Sequence, residues 1–110
     1  MATLVHHMID SGALSEHLRA TRATLKDRCG SLCDELQAAA AGGLPVSFRR
    51  PQGGYFVWVQ LLPPLGVASD FCDSLSDVKV LPGAACTPRV GAGGAAAPVS
   101  PSASAIRLSF

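Results

Sequence analysis

Apolar positions along this chain follow two kinds of spacing. From residue 13 to about residue 40, Leu14, Leu18, Leu25, Cys29, Leu32, Cys33 and Leu36 recur in steps mostly of three, four or seven. Such steps line one side of a 3.6-residue helix, so the segment is predicted to be a long helix with one buried face. Arg19, Arg22, Lys26, Asp27 and Glu35 mostly fall elsewhere on the wheel. Ser11 is the expected N-cap, since its hydroxyl can accept from the unpaired N–H groups of a first turn. Gly42-Gly43 is expected to close the helix at the left-handed position. Ahead of it, residues 2–10 read as a short helix with Leu4, Val5 and Met8 on one side, broken by Asp10-Ser11-Gly12.

The second half of the chain changes period. Val46, Phe48 and the pair Arg49-Arg50 predict a short strand after Leu44-Pro45. Pro51-Gln52-Gly53-Gly54 reads as a turn, where two glycines allow positive φ. Residues 55–61, Tyr-Phe-Val-Trp-Val-Gln-Leu, are aromatic and β-branched and stop at Pro63-Pro64, the strongest strand signal in the sequence. Together the two strands predict a β-hairpin that carries most of the aromatic side chains. Residues 67–75 are expected to form a short helix with Phe71, Cys72 and Leu75 inward, and residues 78–81 a strand closed by Pro82-Gly83. Residues 91–104 are Gly, Ala, Pro and Ser with almost nothing to bury, and read as a flexible loop. The alternation of Ala105-Ile106-Arg107-Leu108-Ser109-Phe110 predicts a last strand. The fold expected from this order is α+β: a small, mostly antiparallel sheet covered on one face by the long helix. An ending on a strand leads us to expect that the 110 residues belong to a longer chain.

Composition narrows the picture. One hundred and ten residues suffice for a single domain, which would bury roughly 60 to 70% of its unfolded surface. Apolar residues make up 48% of the chain, which argues against disorder throughout, but many are alanines that contribute little burial each. The charge of +1 is spread along the sequence, and Arg49-Arg50 is too short a run to suggest nucleic acid. No apolar run has the length of a membrane span, and the first ten residues lack the basic start and apolar stretch of a secretory signal. A cytoplasmic setting is expected on these grounds. Of the four cysteines, Cys29 and Cys33 lie on one helix face; with no matching second pair they read as small apolar residues of the stripe rather than metal ligands. His6 and His7 are adjacent and point to different helix faces, so no metal pair is assigned to them. No metal site is expected.

Four segments, taken in order, carry a family likeness. Ser11-Gly12-Ala13-Leu14-Ser15-Glu16-His17-Leu18-Arg19 resembles the stretch that opens the small-domain helix of class I/II aminotransferases, enzymes dependent on pyridoxal phosphate (PLP). Pro51-Gln52-Gly53-Gly54-Tyr55-Phe56-Val57-Trp58-Val59 resembles their P-x-GG-aromatic-F-hydrophobic-W strand. Val80-Leu81-Pro82-Gly83-Ala84-Ala85 is similar to their Pro-Gly segment, with Cys86 where an aromatic usually stands. Ile106-Arg107-Leu108-Ser109-Phe110 resembles their IRLSF strand. The spacing is similar to the subgroup of fold type I that includes 2-aminoadipate aminotransferases and aminotransferase-like regulators. The likeness spans nearly the whole chain outside residues 91–104. The helix that follows the IRLSF strand in the family has no counterpart here.

The resemblance implies an incomplete C-terminal small domain of a transaminase that moves an amino group between an amino acid and a 2-oxo acid. It implies Arg107 as the arginine that grips the substrate α-carboxylate, a task suited to the parallel donors of a guanidinium. PLP chemistry needs a lysine as Schiff-base partner, and in the family this lysine lies in the preceding large domain. Lys26 and Lys79 are the only lysines here, and neither stands in the family's Ser-x-x-Lys context. Both are read as solvated charges, so no catalytic and no cofactor-binding residue is assigned and the isolated chain is expected to be inactive. Gly53 and Gly54 are read as turn residues, Tyr55 and Trp58 as core or interdomain packing, and His17 as a helix-surface or interdomain residue. The complete family is typically homodimeric, and the chain alone is expected to expose an apolar face. A different class of function is kept beside this one: a non-catalytic small-domain remnant that acts as a protein-interaction module.

Overall fold

The computed structural model describes residues 1–86 and 101–110. Their elements run α1 (Ala2–Asp10), α2 (Ala13–Ala41), β1 (Val46–Phe48), β2 (Phe56–Leu61), α3 (Ala68–Ser74), β3 (Leu81–Pro82) and β4 (Ala105–Ser109), with 3-10 turns at Gly83–Cys86 and Pro101–Ser104. The four strands form one antiparallel sheet in the order β1-β2-β4-β3. The fold is α+β, with α2 packed on one sheet face. Most of the expected loop at 91–104 lies outside the described residues; its last four residues make the second 3-10 turn.

The start and end of α2 follow different rules. Ser11 does not cap it. Ser11 is instead the C-cap of α1, in a right-handed conformation, and its Oγ donates to the Met8 carbonyl. With Ser11 taken up in the end of α1, Gly12, at φ 76°, makes the corner between the two helices and is the N-cap of α2, without a side-chain cap. At the other end the expected glycine stop is present. Gly43, at φ 104°, donates to Ala40 and Leu44 donates to Ala39, which together satisfy two carbonyls of the last turn.

Register decides what β2 buries. Val46, Phe48 and Ile106 meet Leu61 and Val59 across the ladders, and Leu108 meets Val57, so these side chains share one face. Val57, Val59 and Leu61 are buried there with Cys33 of α2 and Ala68 of α3. Cys29, Leu32, Leu36, Phe71 and Cys72 complete the contact. Leu75, expected inward, is exposed because α3 ends one residue before it.

The stripe on α2 is longer than the sheet beneath it. Twenty-nine residues give about 43 Å of helix, whereas a six-residue strand spans about 20 Å. Contact with the core begins at Cys29, and the turns before it overhang. Leu18 is consequently exposed, as are Leu4, Val5 and Ile9 of α1, which has no buried residue at all.

Strand β3 is shorter and later than the expected strand at 78–81. It pairs only through Leu81 with Arg107 and Pro82 with Ile106. Val78 and Lys79 lie outside the ladder and are exposed. Pro82 is tolerated because β3 is the sheet edge, where one strand side needs no donor.

This division between a small core and an overhanging helical end predicts unequal costs of truncation. Leu61→Ala should destabilise the chain by about 2–5 kcal/mol through lost transfer energy and a cavity. Leu4→Ala on α1 should change stability by no more than about 0.5 kcal/mol. Urea denaturation followed by far-UV circular dichroism measures both, and equal losses would place α1 in the core.

Candidate functional site

The sheet face away from α2 carries the polar chemistry. Strand β4 alternates, so Ile106 points to the core and Arg107 to the open face. Its cross-strand neighbours are Trp58 of β2 and Leu81 of β3. Phe56 lies one diagonal step away, opposite Ser109, within reach of a long side chain. The Arg107 guanidinium carbon sits 4.1 Å above the Phe56 ring centroid. Tyr55 meets the same Phe56 ring edge-on, with centroids 6.5 Å apart and planes at 68°.

Tyr55, Phe56 and Trp58 are 58%, 44% and 43% exposed. Of the two expectations for Tyr55 and Trp58, core or interdomain packing, the first is corrected: strand parity turns Trp58 away from the core, and Tyr55 precedes the paired residues of β2. Among the described residues Arg107 forms no ion pair and no side-chain hydrogen bond. A half-buried guanidinium without a protein carboxylate, beside apolar walls, can receive a carboxylate through its in-plane N–H donors.

The lysines do not join this site. Lys26 is exposed on α2, which packs against the opposite sheet face. Lys79 is exposed ahead of β3 and lines a hollow of about 370 Å³ with Ser69, Cys72 and Asp73. Neither shares the open face with Arg107, and neither is desolvated as a Schiff-base lysine would be.

Two arrangements were not foreseen from sequence. Arg50, read as part of a strand, lies beyond β1 and forms an exposed ion pair with Asp34 of α2, which ties the turn after β1 to the helix. Asp34 also favours the charged guanidinium and raises the Arg50 pKa, first through its hydrogen bond and then through its charge. The second is the Arg107–Phe56 stack itself. Its partners are separated by half the chain, and only the β2–β4 register brings them together. An open groove of about 1010 Å³ runs between α2 and the Pro51–Gly54 turn, lined by Arg22, Lys26, Asp27, Arg50, Tyr55 and Phe110 among others.

The cysteine pair behaves as a packing pair. Cys29 and Cys33 Sγ atoms are 3.9 Å apart on the buried side of α2, and Cys33 is fully buried. Among the described residues no group of three or more His, Cys, Asp or Glu is placed to hold a metal. His6 pairs with Asp10 at 3.0 Å along α1, and His17 lies 3.5 Å from the Thr21 hydroxyl on exposed helix surface. No helix among the described residues is long and apolar enough to cross a membrane.

Set beside known proteins, the chain matches no protein-family model, no curated protein and no solved structure.

Burial raises the Cys33 thiol above its ordinary pKa of 9.0, with the adjacent Cys29 adding to the effect, and burial also raises Cys72. A thiol pKa raised in the folded state stabilises the fold fully below the unfolded thiol value. That contribution is lost as pH rises through the folded value. Stability should therefore fall as pH climbs above about 9, and Cys33→Ala should reduce that slope. In iodoacetamide labelling at pH 8, exposed Cys86 should react first and Cys33 only on unfolding. Peptide mapping that finds Cys33 labelled as fast as Cys86 would contradict its burial.

Proposed function

We propose that these 110 residues are the small-domain part of a PLP-dependent class I/II aminotransferase. Within it, Arg107 binds the α-carboxylate of the amino acid and of the 2-oxo acid between which the amino group moves. The observation that carries the reading is Arg107 itself: half-buried on an open sheet face, walled by Phe56, Trp58 and Leu81, and bonded to no carboxylate among the described residues. A second observation supports it. The three strand segments that resemble the family are sheet neighbours, in the order β2-β4-β3, so the likeness falls on one continuous surface.

In this reading the lysine and the rest of the PLP seat come from outside these residues, and the cofactor supplies the electron sink for the reaction. The chain's own part is to hold the carboxylate in a fixed plane. A bidentate grip fixes orientation as well as charge, and orientation decides which substrate bond can react. The interaction-module reading is favoured by a different observation: Phe56, Trp58 and Leu81 on the open face, and Leu4, Val5 and Ile9 on α1, are exposed apolar side chains.

Intact mass measurement of the native protein that carries this sequence separates the two. A mass far above 11.3 kDa, with bound PLP and transaminase turnover, supports the enzyme reading. A mass of 11.3 kDa without turnover supports the module. In a PLP-containing parent, Arg107→Lys should lower kcat/KM by about ten- to a hundredfold, because an ammonium cannot form the paired contact. Unchanged kcat/KM rejects the carboxylate role. The isolated chain treated with PLP and borohydride should show no stoichiometric label at either Lys26 or Lys79; full labelling of one of them would reverse the assignment.

A further inference from the structure

We propose that Phe56 is the positioning residue for Arg107: its ring holds the guanidinium plane so that the donor edge, rather than the face, is presented to a carboxylate. The proposal rests on the carboxylate reading of Arg107 given above.

The geometry separates two uses of one guanidinium. The guanidinium carbon lies 4.1 Å from the Phe56 ring centroid, and a guanidinium laid flat on a ring engages the π surface and no N–H hydrogen. All five N–H donors lie in the guanidinium plane and stay available at its edge. Stacking therefore costs the arginine none of the hydrogen bonds that carboxylate recognition needs. It also confines a side chain that would otherwise lose considerable rotamer freedom on binding, so part of the ordering cost is met before the ligand arrives.

The ring is itself held. Phe56 is fixed to the sheet opposite Ser109, and Tyr55 meets it edge-on. On either side of Arg107 in the ladder, Trp58 and Leu81 limit sideways swing of its stem. A 44% exposed phenylalanine contributes little to the core, which lies on the opposite sheet face. Its place next to the arginine is better explained by the contact it makes with the cation than by burial.

The test uses the full 110-residue chain, with pyruvate as the carboxylate probe and methyl pyruvate as the uncharged control. NMR of the Arg107 side chain gives two readouts. In the wild type, the ring current of Phe56 should shift the Arg107 side-chain protons upfield. Pyruvate, and not its ester, should move the Nε–H signal with an apparent Kd in the millimolar range. Phe56→Leu keeps an apolar side chain at the strand position but removes the π face. It should abolish the upfield shift and weaken pyruvate binding about three- to fivefold, with the backbone spectrum otherwise retained. Phe56→Tyr should restore both.

Retained wild-type affinity in Phe56→Leu, with the shift lost, overturns the positioning role and leaves the carboxylate reading standing. Absence of the upfield shift in the wild type overturns the stack. A wild type that binds pyruvate no better than its ester, or an Arg107→Lys variant that binds it equally well, removes the carboxylate reading, and the positioning role falls with it. Loss of binding in Phe56→Leu that Phe56→Tyr does not recover assigns the effect to disturbed packing and also overturns the proposal.

Discussion

The fold depends on the contact between the turns of α2 from Cys29 to Leu36 and the central strand β2. Cys33 reaches the plane of Val57, Val59 and Leu61, and all four side chains are buried. The set is small because the chain has few large apolar residues to offer; much of its apolar content is alanine. A cysteine at the centre suits that constraint. It lets the helix approach the sheet closely, and Val57 and Val59 fill the remaining space with rigid, branched side chains. With so thin a core, the ends of α2 are held by local devices instead, a glycine corner at Gly12 and two capping bonds around Gly43.

Burying one face of β2 commits the other. Because the strand period is two, the register that sends Val57 and Val59 inward sends Phe56 and Trp58 outward. The same register on β4 sends Ile106 inward and Arg107 outward. The aromatic–arginine surface is thus the necessary reverse of the core, and the parity that places Arg107 beside Trp58 also places it diagonal to Phe56. Function, on the reading proposed, was built on the face that the core leaves over.

A second surplus lies at the other end of the molecule. The apolar stripe of α2 continues past its contact with the core, and α1, joined to that end through the Gly12 corner, has no buried residue. Helical periodicity makes a stripe; only an opposing surface makes it a core. This is why Leu18 and the apolar side of α1 are as regular as Leu32 and Leu36 in sequence yet differ from them in burial.

The sequence by itself determined the elements. Local rules were enough to mark α1, α2, the β1–β2 hairpin, α3 and the last strand, since spacing, β-branching and Gly-Gly or Pro-Pro stops act within a few residues. The α+β class followed from their order. Arg107 was singled out through a resemblance to a family, and its strand was legible from alternation. Tertiary structure decided the rest, because each remaining feature joins parts distant in the chain. Ser11 lost the cap to Gly12 because α1 ran up to it. Val78 and Lys79 lost their strand because β4 pairs only at Leu81 and Pro82. Trp58 proved half-exposed because register, which no single segment specifies, turned it to the open face, and Tyr55 is exposed because it precedes the paired residues of β2. The stack of Arg107 on Phe56 arises from that same register, set by the burial of Val57, Val59 and Ile106 against α2.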